Sequence, residues 1–322
     1  MGVNLRDIIP QRSLEFEELR GKVIAVDALN SLYQFLASIR QADGTPLMDS
    51  NGNVTSHLSG LFYRTGRLLK LGIKPIYVFD GKPPSIKRGE IDRRMQLKRE
   101  AQMEWERAKV EGRIEDAKKF AKRTSKLTDE MKEDSKKLLG CMGVPYVQAP
   151  SEGEAQCAHM VTRGDAWGVG SQDYDSILLG APKLVKGLTL SGTLELSLIE
   201  LEDALKQNGI TREQLIDVAI LVGTDFNDGV RGIGPKKGLK MVKEGRLGEL
   251  DLDFDIDVVR KIFLNPDISD DYSIEWNSVD VDGLVRILSE KHDFSEERVR
   301  KTANEMTESR KEMSQQNLDK WF

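Results

Sequence analysis

An α/β fold, with a mostly parallel central sheet flanked by helices on both faces, is predicted by three observations. Short apolar, β-branched runs alternate along the chain with longer stretches of helical pattern. Four such runs stand out: KVIAVD (22–27), PIYVFD (75–80), VPYVQ (144–148) and AWGVGS (166–171). Carboxylates gather just past the ends of these runs, which is where sheets of this kind bind their ligands.

Taken in order, the first run ends in Asp27 and the second in Asp80. From Pro84 to Leu139 the chain becomes charged and glycine-poor, which predicts one or two long helices without a continuous apolar stripe. Such helices form a protruding cap over the sheet edge rather than core. The third run leads into APSEGEAQCAHM (149–160). Ser151 and Glu154 there fit an S-x-x-E capping box, but that reading leaves Glu152 without a role. The fourth run is followed by QDYD, carrying Asp173 and Asp175, which alone reads as an Asx-rich turn. Farther on, REQLIDVAILVG predicts a buried helix, followed by a loop carrying Asp225 and then GIGPKKGL. The polar tail ends SQQNLDKWF, and no internal repeat appears.

A chain of 322 residues, 39% apolar, buries a substantial core as one large domain or two smaller ones. Runs such as VAILVG are too short to cross a bilayer, and the start lacks the basic-then-apolar order of a signal peptide. Arg6 in MGVNLR stands where a myristoylation signal needs Ser or Thr. Cys141 and Cys157 have no metal-type spacing, so a reducing, cytoplasmic setting without membrane contact is expected. The net charge of −5 hides an uneven distribution. Residues 82–137 hold 18 Lys and Arg against 12 Asp and Glu, whereas residues 249–282 hold 2 against 11. One face can therefore attract a polyanion while another repels it.

Seven acids share the predicted edge: Asp27, Asp80, Glu152, Glu154, Asp173, Asp175 and Asp225. Crowding them costs several kcal/mol, about what cations are needed to offset. An oxygen-only set favours Mg²⁺ or Mn²⁺ over zinc. His159, seven residues after Glu152, reads as a packing residue rather than a ligand. Two ions about 4 Å apart clamp a phosphate and hydrolyse a phosphodiester.

The motifs VDALNSLYQFL, YVFDGKPPSIKRGE, APSEGEAQCA, GSQDYDSILLG and ILVGTDFNDGVRGIGPKKGL stand in the order and spacing of the structure-specific 5′ nucleases. The chain most closely resembles the archaeal flap endonucleases, over nearly its whole length. That resemblance implies a single nuclease domain over residues 1–306, with a helical arch at about 82–130 and a helix–turn–helix DNA-binding element at about 215–245. A tail at 307–322 would follow.

It also implies that the seven acids hold two Mg²⁺, with Mn²⁺ as a substitute. Asp80, Glu152, Glu154 and Asp173 would lie closest to the catalytic pair of ions, with Asp175 and Asp225 on the outer side. Lys87 and Arg94 match the basic pair at the base of the arch, and their spacing of seven aims both along one helix face. Tyr33 matches a tyrosine that stacks on a base beside the cut; read without the family it would be core. Arg40 follows as a DNA contact.

Gly232, Gly234, Lys236, Lys237 and Lys240 would hold duplex phosphates at a helix N-terminus, and carbonyls of Gly229, Val230 and Ile233 would bind K⁺. Gln315, Leu318, Trp321 and Phe322 have the spacing of a sliding-clamp-binding peptide. Two departures are visible: residues 182–205 are shorter than the usual hairpin, and no basic extension follows Phe322.

The implied activity is a monomeric, structure-specific 5′ flap endonuclease of DNA replication and repair, with 5′-3′ exonuclease activity, that leaves a ligatable nick. The rivals are a related nuclease for bubbles, junctions or blunt ends, an RNA nuclease, and a non-catalytic clamp-bound binder of DNA structures.

Overall fold

In the computed structural model, which describes residues 2–82, 88–122, 124–188, 195–250, 252 and 254–319, seven strands form one sheet. They are β1 (Arg12–Leu14), β2 (Val23–Asp27), β3 (Lys74–Phe79), β4 (Tyr146–Gln148), β5 (Gly168–Gly170), β6 (Lys183–Lys186) and β7 (Leu196–Glu200). Their order is β1-β7-β6-β5-β2-β3-β4. Neighbours from β6 through β4 run parallel, β7 is antiparallel to β6, and β1 is antiparallel to β7. The four predicted runs are β2 to β5. The three remaining strands extend the sheet on the β5 side, with β6 and β7 pairing antiparallel within residues 182–205.

The helices are α1 (Ala28–Ser38), α2 (Ser56–Lys70), α3 (Arg88–Val110), α4 (Ile114–Ala121), α5 (Asp129–Cys141), α6 (Gly153–Arg163) and α7 (Asp175–Leu178). They continue as α8 (Leu201–Asn208), α9 (Arg212–Val222), α10 (Pro235–Lys243), α11 (Ile256–Leu264), α12 (Val281–Val285) and α13 (Glu296–Asp319). Strand alternation sends side chains to two cores. Ile24, Val26, Tyr77 and Phe79 pack with α1, α2, α5 and α13, whereas Ala25, Ile76 and Val78 pack with α6, α9, α10 and α11. Both faces of the sheet are therefore covered, as parallel strands require.

Two predicted elements take definite form. The charged stretch becomes α3 and α4, which pack on one another; Met95, Leu97, Met103 and Val110 stay exposed, and among their described side chains the buried ones are Ala101, Ala108 and Ala121. The predicted helix–turn–helix region is α9 packed on α10 across the loop 223–234, with Gly234 as N-cap and Pro235 opening the second helix. At the C-terminus α13 lies on α2, and Met306 is its last buried residue among the described side chains. Among the described residues no helix is long and apolar enough to cross a membrane.

Candidate active site

The parallel register brings the carboxyl ends of β2, β3, β4 and β5 to one edge, and the predicted acids follow them. Asp27 closes β2 and caps α1, its Oδ1 accepting from the Asn30 amide at 3.0 Å. Asn30 reaches across as well, its Nδ2 donating to Asp173 Oδ2 at 2.8 Å. Beyond β3 the chain stays paired with the segment after β4, since Gly81 N donates to the Ser151 carbonyl at 2.7 Å. A Cβ on Gly81 would lie 2.3 Å from the Ala149 carbonyl, so only glycine permits this approach. It sets Asp80 beside the start of α6, where Gly153 N donates to Asp80 Oδ1 at 2.9 Å. Glu152 and Glu154 thus flank the residue that holds Asp80.

The capping-box reading of this turn does not hold. Glu152, not Ser151, is the N-cap of α6, with no side-chain cap bond. Ser151 Oγ donates instead to the Lys82 carbonyl at 3.1 Å, and Glu154 Oε1 accepts from Ser171 Oγ at 2.8 Å. Long-range partners outcompete the local reciprocal bond because both side chains turn inward. Asp175 opens α7 and accepts from the Val3 amide at 3.2 Å. Gly2 lies against it too: a Cβ there would meet Asp175 Oδ2 at 2.8 Å. Glu152, Glu154, Asp175 and Asp225 line one small cavity, with Asp267 at the same cavity.

Electrostatics ties the group together. Burial pushes the Glu154 carboxyl well above the usual range, and the charges of Asp175, Asp27 and Asp173 push it the same way; the Ser171 hydrogen bond opposes them. The Cys157 thiol, on the same helix, is likewise raised well above its ordinary value by burial and by Asp27, Glu154 and Asp80. Lys186 ends β6 with its ammonium 3.8 Å from the Tyr174 ring centroid; burial lowers its pKa and Asp173 opposes that. Among the described residues, no three His, Cys, Asp or Glu side chains close on one point tightly enough to grip an ion as they stand. Hydrogen bonds to protein donors hold Asp27, Asp80, Glu154, Asp173 and Asp175 along the edge. The donor set nonetheless fits a hard divalent cation: every predicted ligand is a carboxylate, Asp27, Asp175 and Asp225 are buried, and Glu154 is pushed toward its neutral form by desolvation and by its neighbours.

The other predicted residues fare differently. Lys87 lies outside the described residues, and Arg94 falls in α3 with only its backbone described. Tyr33 is not core: its ring is 37% exposed on α1, with Lys98 Nζ 4.6 Å from its centroid. Arg40 is engaged by the protein, donating to the carbonyls of Leu36 and Gly44 at 2.9 and 2.8 Å and to Ser125 Oγ at 3.0 Å. His159 faces Asp270 at 2.7 Å rather than the acids.

Lys236, Lys237 and Lys240 are exposed on the first turns of α10, behind Gly232 and Gly234. In the preceding loop, Gly229 has φ +72, the Val230 carbonyl accepts from Ile233 N at 3.0 Å, and Ile233 is buried. Gln315 and Leu318 fall in the last turns of α13, side chains not described, and Trp321 and Phe322 lie outside the described residues. Sequence reasoning missed Asn30, Ser171, Gly153 and Gly2. Only the glycine between two glutamates offered a signal, as a residue chosen for close approach.

Residues 1–101 match the model of the XPG N-terminal domain and residues 143–225 that of the XPG I-region. The chain is 49% identical over 338 residues to Flap endonuclease 1 of Pyrococcus abyssi, an alignment covering all of this chain and 98% of the relative. It is 50% identical over 330 residues to Flap endonuclease 1 of Methanothermobacter thermautotrophicus, covering all of both. Among solved structures it is similar to flap endonuclease-1 from Methanococcus jannaschii, with a TM-score of 0.81, 42% identity, and coverage of 96% of this chain and 98% of that one. The catalytic core of Rad2 in complex with DNA substrate superposes with a TM-score of 0.74 at 25% identity, covering 95% and 100%.

Proposed function

From the premise that the chain belongs to the flap endonuclease family, we propose that it cuts branched DNA at the base of a 5′ flap with the carboxylates gathered at the strand ends. The observation that carries this reading is Glu154, half-buried near the head of α6, its carboxyl raised by desolvation and by the crowding charges of Asp175, Asp27 and Asp173, an arrangement that calls for positive charge. Asp80, Glu152, Glu154 and Asp173 would hold divalent cations, Mg²⁺ or Mn²⁺, nearest the reacting phosphate, with Asp27, Asp175 and Asp225 behind them. When bound, such ions polarise the phosphate and make water a nucleophile at neutral pH.

The chain's own residues do the rest. The Asn30 amide and Nδ2, the Gly153 amide and Ser171 Oγ fix the carboxylates before substrate arrives. Lys87 and Arg94 would stabilise charge on the phosphate. Water oxygen bonds to phosphorus, the bond to the 3′ oxygen breaks, and the duplex strand keeps a 5′-phosphate at a ligatable nick; the same chemistry gives 5′-3′ exonuclease activity.

Grip on the duplex would come from the α10 N-terminus and its lysines, with K⁺ on the loop carbonyls of Gly229, Val230 and Ile233. The arch at 82–130 would admit the flap, Tyr33 would stack on a base, and the tail peptide ending in Trp321 and Phe322 would dock on a sliding clamp. The protein would act as a cytoplasmic monomer.

The test is to map the cut on a double-flap DNA with Mg²⁺ and with chelator, for the wild type and for Asp173→Ala. Cutting at the junction only with metal, and an Asp173→Ala protein that binds without cutting, is the expected result; turnover retained in the variant would mean the ligands are misplaced.

A further inference from the structure

The legs of the charged 88–125 stretch meet α1 and the segment just after it in different ways. The trailing leg is held by partly buried hydrogen bonds: Ser125, 8% exposed, accepts from Arg40 Nη2 at 3.0 Å, and Arg40 is itself tied to the Leu36 and Gly44 carbonyls. The leading leg touches α1 through Lys98, whose ammonium lies over the exposed Tyr33 ring, 4.6 Å from its centroid. A contact of this kind at an exposed site is weak, about 0.5–1 kcal/mol. The trailing leg is thus a fixed support and the leading leg a contact that a competitor can displace.

Tyr33 lies six residues beyond Asp27, about 9 Å along the helix axis. An exposed aromatic face at that distance from the carboxylates is where a nucleotide base next to the cut would stack. A base and an ammonium cannot share one ring face.

We propose that Lys98 is a latch: in the free protein it occupies the face of Tyr33 on which the base stacks, and strand entry releases it. The inference rests on the reading of Tyr33 as a stacking platform. Base capture would then be coupled to movement of α3, while the Arg40–Ser125 support keeps the trailing leg in place. Only an unstacked nucleotide presents a free face to displace the ammonium, so the latch selects for a strand that has left the duplex. Lys98 is on this reading a positioning residue for the known reaction.

The experiment measures affinity in chelator for two flap DNAs, one intact and one abasic at the nucleotide beside the cut. The ratio of the two affinities cancels any contact of Lys98 with phosphates. Lys98→Gln removes the competitor and should raise the preference for the intact flap about two- to fivefold, the equivalent of the contact's strength. Hydrogen exchange of residues 95–110 in the DNA-free protein should speed up by a similar factor in Lys98→Gln and in Tyr33→Leu, and no further in the double variant. An unchanged or smaller ratio in Lys98→Gln, or additive exchange effects, overturns the latch. If Tyr33→Leu alone leaves the ratio at its wild-type value, the stacking role of Tyr33 is what fails.

Discussion

Lowering the pH from 7 to 4 should destabilise this protein through one residue remote from the acids, His57 at the start of α2. Its ring is 2% exposed, and neither nitrogen has a hydrogen-bond partner among the described residues. Burial lowers its pKa from 6.5 to about 4; the charge of Asp134 opposes the shift and His292 adds to it. The surroundings offer the protonated ring little. Asp134 Oδ2 already accepts from Lys291 Nζ at 2.9 Å, and Asp49 Oδ2 is bonded to His292 Nδ1 at 2.8 Å. The folded pKa lies below the unfolded one, so the unfolded chain takes up the proton first. Stability from this group is therefore complete above pH 6.5 and is lost as pH falls toward 4. The linkage amounts to about 2 kcal/mol at pH 5 and about 3 kcal/mol once both states are protonated. Urea unfolding followed by circular dichroism between pH 4.5 and 7.5 reads it directly. His57→Leu keeps a similar volume, removes the orphaned nitrogens and should match or exceed wild-type stability at neutral pH. Its stability should fall less with acid, so that the two proteins diverge by about 2 kcal/mol by pH 5. Parallel pH profiles would show that His57 is not the group that titrates.

Three further outcomes follow from the site. Glu154→Gln retains an acceptor for Ser171 and removes a charge crowded by Asp175, Asp27 and Asp173; in chelator at pH 8 it should melt about 2–4 °C above wild type by scanning fluorimetry, yet fail to cut. A lower melting point would contradict the repulsion argued here. Gly153→Ala places a methyl 2.5 Å from Asp80 Oδ1, so the carboxylate must move; cleavage should drop about 100-fold while flap affinity in chelator stays within about twofold. Replacing Lys236, Lys237 and Lys240 by Gln should weaken binding alike for every DNA sequence and reduce the slope of log affinity against log salt by about 2–3, without moving the cut site; an unaltered slope would remove α10 from the duplex interface.

What the sequence could and could not show follows the range of each interaction. Strands β2 to β5 were legible because each is an apolar run bounded by polar residues, and six of the seven acids because they close or closely follow those runs. Strand β1 was not, and β6 and β7 were expected only as the hairpin that the family resemblance implies. Three residues of RSL carry no alternation, and KLVK has two apolar positions between lysines, so neither announces a strand until a neighbour supplies the hydrogen bonds. The packing of α3 on α4 was hidden for a related reason. Among the described side chains it buries alanines, which add little to an apolar stripe however closely they bring two helices.

The same distinction separates the acids from what holds them. A carboxylate at a strand end can be read from its own neighbourhood, but its partner can lie anywhere: Asn30 and Asp173 are 143 residues apart, and Val3 and Asp175 are 172 apart. Arg40 makes the point in reverse. In the sequence it is a cation beside a nucleic-acid site, free to reach a phosphate. In the fold its guanidinium is half-buried, two of its donors return to backbone carbonyls within four residues, and a third joins Ser125, 85 residues away. Charge and position along the chain are local properties, whereas availability is a property of the whole packing. Residues whose work is to be reached by DNA are therefore harder to read from sequence than residues whose work is to hold a fixed place at the sheet edge.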